Sequence, residues 1–143
     1  MTATRSRKQV KQYDRYRKKV GGAACEFCQL DIDKHSQVLR TTPSFKLIRN
    51  IFPYSVWDSQ QVVDHLMIVP KQHTDTLKHL SDEQAAEFVQ LISEYEEQGY
   101  NVYARAPKSS IKTVEHQHTH LIKTTGRVKF VFVLMKPYLR LFR

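Results

Sequence analysis

The hydrophobic positions along the chain change period several times, and each change marks an element. Beyond Ser81, Ala85, Phe88, Ile92 and Tyr95 recur every three or four residues with Val89 and Leu91 beside them. Glu87, Glu94, Glu96 and Glu97 take the other side. That period is an amphipathic helix. Ser81 with Gln84 three residues on is a capping box at its start, and Gly99 is the stop at its end.

Phe45–Asn50 and His65–Val69 read as strands, the second halted by Pro70, with a turn and a short strand around Val56 and Trp57 between them. Tyr100–Ala104, His116–Lys123 and Lys129–Met135 also have strand character. One long helix among strands joined by short links predicts an α+β fold. In that fold a mostly antiparallel sheet is covered by the helix on one face. Nothing repeats, so solenoids are excluded.

Arg5–Val20 has helix-compatible residues but almost no apolar face, and Gly21 and Gly22 end it. The division predicted is a basic N-terminal arm or frayed helix over 1–20, a domain over 21–135, and a basic, partly apolar tail over 136–143. Lys129–Met135 is apolar on both faces and reads as a core or dimer-interface strand. The tail after it could meet a membrane or a partner subunit.

The length, 143 residues, suits one domain with a real core, and 41% hydrophobic residues exclude wholesale disorder. No apolar run approaches a bilayer span, and the first residues lack the apolar core of a secretory signal. A cytoplasmic location is therefore expected, with membrane association disfavoured. Of the net charge of +9, residues 1–19 carry +7 and residues 123–143 carry +6, which leaves −4 for the middle. The two basic ends are candidate contacts for nucleic acid, or else solvated tails.

Chemistry concentrates at His116, His118 and His120. In a strand, two-residue spacing puts all three imidazoles on one side, about 6.6–7 Å apart. Such a row can bind a metal, shuttle protons, or join a nucleophile with donors to a phosphate. The polar loop Pro107–Lys112 leads straight into it. Its Lys108, Ser109, Ser110 and Lys112, with Thr113, are candidate donors to a phosphate. Cys25 and Cys28 have the spacing of a metal or redox pair, which is half of a tetrahedral zinc site.

His116-Gln-His118-Thr-His120-Leu-Ile resembles the signature of the histidine-triad (HIT) nucleotide-binding and hydrolase family, in its zinc-containing branch. The resemblance extends through Asn50–Tyr54, His65–His73 and the link to the Ser81 helix, and it covers roughly residues 25 to 122. It implies a five-stranded antiparallel sheet with one main helix, a homodimer, and cleavage at the α-phosphate of a nucleotide conjugate.

By the same resemblance His118 is the nucleophile that forms a nucleotidyl-histidine, and His120 donates to a phosphate oxygen. A backbone carbonyl of the neighbouring strand is expected to fix the His118 tautomer. Asn50 takes the place of the family's ribose-contacting residue, and Phe45, Leu47 or Phe52 are candidates for the base pocket, with core packing as the alternative. A structural Zn2+ would be held by Cys25, Cys28, His73 and His116.

The chain departs from the family pattern at several points. Gln117 and Thr119 stand where apolar residues are usual, which suggests a reverse face that is less buried or packed on a polar neighbour. Lys112 and Thr113 replace Gln and Ser before the triad, Asp64 replaces Gly, and the Ser55–Val63 link is longer. His65 reads as a core or structural residue, and His35 and His79 as surface residues.

The candidate functions are nucleotidyl hydrolysis or transfer, on a dinucleoside polyphosphate, a nucleoside phosphoramidate or an adenylylated molecule; a nucleotide- or nucleic-acid-binding module without turnover; and removal of 5′-adenylate from nucleic-acid ends.

Overall fold

In the computed structural model, residues 5–20, 25–127, 131–135 and 138–142 are described. The elements are α1 (Arg7–Val20), α2 (Glu26–Gln29), β1 (Val38–Thr41), β2 (Phe45–Arg49), β3 (Val56–Trp57), β4 (Gln60–Pro70), a 3-10 turn (Leu77–His79), α3 (Asp82–Glu97), β5 (Tyr100–Ala104), β6 (Thr119–Arg127), β7 (Val131–Met135) and β8 (Tyr138–Phe142).

The fold is α+β. Its main sheet has the order β1-β2-β4-β6-β5, every pairing is antiparallel, and the short β3 adds a sixth strand against β4. Among the described residues, strands β7 and β8 pair only with each other. Lys129–Met135, expected as a core or interface strand, is thus half of a hairpin over its described residues. Its pairing partner is Tyr138–Phe142, within the stretch expected as a basic, partly apolar tail that could meet a membrane or a partner subunit.

Period-two alternation sorts the sheet's two faces. Phe45, Leu47, Leu66, Ile68 and Leu121 meet Leu91 and Tyr95 of α3, with Leu80, Phe88, Ile92 and Tyr100 around them. Ile48, Met67 and Val69 point the other way and pack with Phe27, Leu30 and Val38. Helix α3 starts at the capping box of Ser81 and Gln84 and is followed by Gly99 at φ 84°. That left-handed conformation is accessible to glycine without steric cost. Val89 falls outside the buried stripe and is exposed.

Strand β4 begins five residues before the expected His65. Gln60–Asp64 extend it as a solvent-edge ribbon paired with β3 and with Lys123–Arg127 of β6. Conversely, β6 starts only at Thr119. The Gln117 N–H is spent on the carbonyl of Thr74 rather than on a strand neighbour, so His116 and His118 lie on a bent approach to the strand.

Residues 7–20 are helical. Tyr13 and Tyr16, three residues apart on α1, both pack their rings on Phe52 at centroid distances of 5.2 and 5.1 Å. Gln9 and Ser55 add a side-chain hydrogen bond of 2.6 Å. The sequence pattern under-reported this docking face because tyrosine counts as polar while its ring buries like phenylalanine.

Lys46, on the face of β2 away from α3, is only 9% exposed, and its ammonium donates to the carbonyls of Phe27, Cys28 and Leu30 at 3.1, 3.4 and 2.6 Å. A cation there satisfies the carbonyls left over at the end of α2 and ties the cysteine-bearing segment to the sheet. Lys46→Met should lower unfolding free energy by about 1–3 kcal/mol in urea titrations. Lys46→Arg should recover part of it, and a Met variant as stable as the parent would refute the anchoring role.

Candidate active site and metal centre

Cys25 caps the start of α2 and Cys28 lies within it, His73 follows the end of β4, and His116 precedes β6. Their ligand atoms all lie within 4.8 Å of one another. The Cys25 Sγ–His116 Nδ1 and Cys28 Sγ–His73 Nδ1 distances are 3.3 Å, and Cys28 Sγ–His116 Nδ1 is 3.5 Å. Tetrahedral zinc with ordinary Zn–S and Zn–N bonds has edges of about 3.3–3.8 Å, which these three edges meet, so the donor types and their spacing suit that ion.

The His116 Nε2 donates to the carbonyl of Pro70 at 3.0 Å. That contact places the proton on Nε2 and leaves the Nδ1 lone pair for the metal, which is the usual outer-shell arrangement of a zinc-bound imidazole. Cys25, Cys28, His73 and His116 therefore form a closed four-ligand zinc site of structural type.

A cleft of about 540 Å³ opens beside it on the face of the sheet opposite α3. Phe27, Ile48, Phe52, Tyr54 and Met67 supply apolar walls, Asn50, Thr113, His118 and His120 supply polar ones, and Arg5, Tyr13 and Tyr16 close one side from α1 and the residues before it. The volume suits a small ligand with a flat apolar part.

The His118 Nδ1 donates to the carbonyl of His116 at 2.8 Å, so the free lone pair is on Nε2. The carbonyl that fixes this tautomer belongs to the same segment, two residues back, and not to the neighbouring strand as expected. Burial holds the His118 pKa below its ordinary value, and the ring is neutral near pH 7.

His120 is coupled to His65. The backbone N–H of Tyr54 donates to His65 Nδ1 at 3.2 Å, which puts the His65 proton on Nε2, and Nε2 lies 2.9 Å from His120 Nδ1. His120 then carries its own proton on Nε2, on the side that lines the cleft. The sequence foresaw a structural His65; the relay that makes His120 a donor needed a contact between residues 55 positions apart.

Asn50 is buried at the cleft wall. Its Oδ1 accepts from the Phe52 N–H at 2.9 Å, and its Nδ2 lies 3.2 Å from His65 Nε2. Thr113 lines the cleft with its hydroxyl accepting from the Tyr13 hydroxyl.

The loop candidates fall elsewhere. Lys112 turns its ammonium to the Asp75 carbonyl and to Gln117 Oε1, at 3.0 and 3.1 Å. Lys108 and Ser110 are exposed, Ser109 is half-buried, and none of the three lines the cleft. Gln117 and Thr119 are 3% and 2% exposed, so the reverse face is buried, with Lys112 as the polar neighbour of Gln117. Nothing in the structure explains the unpartnered buried hydroxyl of Thr119.

Among the apolar candidates only Phe52 reaches the cleft. Phe45 and Leu47 face α3, and Ile48, one residue out of phase with them, lines the cleft instead. His35 is also half-buried at the cleft wall, its Nδ1 accepting from the Asp31 N–H at 3.1 Å, whereas a surface position was expected. Arg105 went unnoticed in the sequence, where an isolated arginine carries no signal, and Arg5 counted there only as one charge of the basic arm.

The sheet order, the buried histidine row and the Cys2His2 cluster together define a histidine-triad domain. The HIT domain profile matches residues 32–126, and the chain belongs to that family.

Solved structures of similar fold include a hypothetical protein from Leishmania major (TM-score 0.58, 23% identity, covering 81% of this chain and 86% of that one). A HIT family hydrolase from Legionella pneumophila has TM-score 0.51 and 21% identity, covering 73% and 95%. A Zn-bound histidine triad family protein from Mycobacterium smegmatis has TM-score 0.52 and 21% identity, covering 71% and 76%. No curated protein matches the sequence significantly. No helix among the described residues is long and apolar enough to cross a membrane.

One zinc per chain should appear in native mass spectra. Cys28→Ser should lose it and lower the melting temperature, as should chelation of the parent. A chain that binds no zinc, or that melts identically with and without it, would refute the structural metal.

His65 is 2% exposed, and burial, reinforced by the charge of Arg5, lowers its pKa from 6.5 to about 3. Because the unfolded imidazole takes up a proton first, its contribution to stability is complete above pH 6.5 and is lost as pH falls from there towards 3. The loss should be about 1.4 kcal/mol per unit through that window. The His65 Hε1 shift should show no titration between pH 8 and 5; a midpoint near 6.5 would contradict the buried relay.

Proposed function

We propose that the protein is a nucleotide hydrolase or nucleotidyltransferase that cleaves at the α-phosphate of a nucleotide conjugate through a covalent nucleotidyl-His118. The observation that carries this reading is the Nδ1–H contact of His118 to the His116 carbonyl, which leaves the Nε2 lone pair bare on a residue that lines the cleft. In the first step His118 Nε2 bonds to the α-phosphorus while the bond to the leaving oxygen or nitrogen breaks and that atom keeps the electron pair. In the second, water or another acceptor takes the nucleotidyl group and frees Nε2.

The His120 Nε2–H would hydrogen-bond a phosphate oxygen as charge builds on it. Phe52, Ile48 and Phe27 offer the base an apolar slot, and Asn50 stands near the ribose side of it. Zinc bound to Cys25, Cys28, His73 and His116 would hold the approach to His118 in shape, and no step of the reaction passes through it. Among the described residues strand β5 ends the main sheet with its outer edge unpaired, which supports a homodimer formed by strand pairing. A cytoplasmic location accords with the reduced Cys25 and Cys28 that zinc requires.

The experiment is turnover of diadenosine polyphosphate and of adenosine phosphoramidate by the parent and by His118→Ala, with an α-labelled substrate to trap the intermediate. The parent should release AMP and carry acid-labile label on His118. The variant should be slower by on the order of a thousandfold or more. Nucleotide binding without AMP release would leave a binding module instead, and transfer activity confined to 5′-adenylated nucleic-acid ends would identify the repair reading.

A further inference from the structure

A carboxylate is an unexpected wall for a cleft that receives a phosphate. Glu26, in the first turn of α2, is the only acid among the described residues that line it. No cation neutralises it there, because the ion pairs among the described residues are Lys34–Asp31 and Arg40–Glu94. Arg5 gives its Nε to the Phe52 carbonyl at 2.8 Å, and Arg105 gives its Nη2 to the Tyr54 hydroxyl at 3.1 Å. A negative charge in this position repels an incoming phosphate, and it is compensated only by a ligand that brings hydrogen-bond donors to it.

Glu26 is held from α1. The Tyr16 hydroxyl donates to its Oε2 at 2.7 Å. Burial, with that carboxylate beside it, pushes the Tyr16 pKa up to about 12, so the phenol stays a donor at neutral pH. The Tyr16 ring lies 5.1 Å from that of Phe52, and Phe27, next to Glu26 in the chain, has its ring 5.3 Å from that of His118. The Tyr16–Glu26 contact therefore ties the carboxylate to both aromatic sides of the apolar slot. Tyr16 and Glu26 both precede residue 32, where the match to the HIT domain begins. This contact is an addition made by the chain's own N-terminal segment.

The chemistry of a carboxylate selects among the flat rings that could fill the slot. It only accepts, through two oxygens with about four lone-pair sites, of which the Tyr16 hydroxyl takes one. Guanine carries two adjacent donors, N1–H and the N2 amino group, which meet the two oxygens side by side as charge-assisted bonds. Adenine sets the acceptor N1 beside its N6 amino group, and cytosine sets the acceptor N3 beside its N4 amino group. Each would turn a lone pair towards one carboxylate oxygen. Uracil has a single N–H between two carbonyls.

We propose that Glu26 is a specificity-determining residue that selects guanine in the cleft, with Tyr16 of α1 as the positioning residue that fixes its carboxylate. This rests on the reading of the cleft as a nucleotide site with its base in the apolar slot, and it requires no step at His118. Guanine nucleotides are then the favoured ligands, and adenine nucleotides enter the same slot more weakly. The basic arm acquires a role on its inner face, because it brings Tyr16.

Binding tests base selection apart from turnover. Calorimetric titration of the zinc-loaded full chain should show GMP bound roughly tenfold or more tightly than AMP. IMP, which keeps N1–H and lacks the N2 amino group, should fall between them. Glu26→Gln should bring GMP to within about threefold of AMP and leave AMP little changed. Tyr16→Phe, which keeps a ring against Phe52, should lose part of the GMP preference. Glu97→Gln, an exposed acid at the end of α3, should keep all of it. Native mass spectra should show zinc retained in each variant, and if Glu26→Gln loses it, Tyr16→Phe decides.

A parent that binds the three nucleotides alike, or binds none, would overturn the proposal. So would a GMP preference that survives both variants, or equal losses of GMP and AMP in zinc-loaded Glu26→Gln. A GMP preference that depends on Glu26, in a chain that turns over no nucleotide conjugate, would uphold the base selection while the hydrolase reading fails. Turnover through His118 without any guanine preference would do the reverse.

Discussion

Burying an imidazole obliges the fold to decide where its single N–H goes, and the heart of this protein is built around four such decisions. His65, His116, His118 and His120 are 2%, 1%, 8% and 4% exposed. Water cannot supply their partners. Backbone groups do so instead: the carbonyl of Pro70 takes the His116 proton, the carbonyl of His116 takes that of His118, and the N–H of Tyr54 sets the tautomer of His65 and through it that of His120. Three chemically identical side chains in one motif acquire three different jobs because three different backbone groups face them.

The same economy links the metal cluster to the cleft. His116 contributes its Nδ1 to the Cys2His2 set and its carbonyl to His118, so anything that orders the cluster also orders the candidate nucleophile. Lys46 extends the chain of dependence into the sheet by gripping the segment that bears both cysteines. On the far side, α1 docks its tyrosines on Phe52 and makes the cleft a composite of body and arm. That composite construction gives an otherwise shallow sheet face a third wall.

Much of the fold was readable because it follows from local periodicity. The helix over Asp82–Glu97, its capping box and its glycine stop, and the strands at Phe45 and Tyr100 depend on residues within a few positions of one another. The four-ligand set was readable too, once the resemblance to zinc-containing relatives joined Cys25 and Cys28 to His73 and His116. Less was readable where a distant partner overrides local pattern. The histidine segment alternates like a strand, yet Gln117 gives its N–H to Thr74, and the strand waits until Thr119. The loop lysines and serines looked like phosphate donors by proximity in sequence; Lys112 is bound to Asp75 and Gln117 instead.

By itself the sequence determined the α+β architecture, the family, and which residue types the site could use, since periodicity and motif spacing are one-dimensional properties. Only the tertiary structure decided which ring nitrogen of each histidine is free, that Arg5 and Arg105 share the wall of one cleft, and that the basic arm packs as a helix against it. These are facts about direction, as where the His116 carbonyl faces His118 two residues on, and about pairs of residues 46 to 100 positions apart. Hydrogen-bond geometry resolves them, and no local pattern along the chain encodes it.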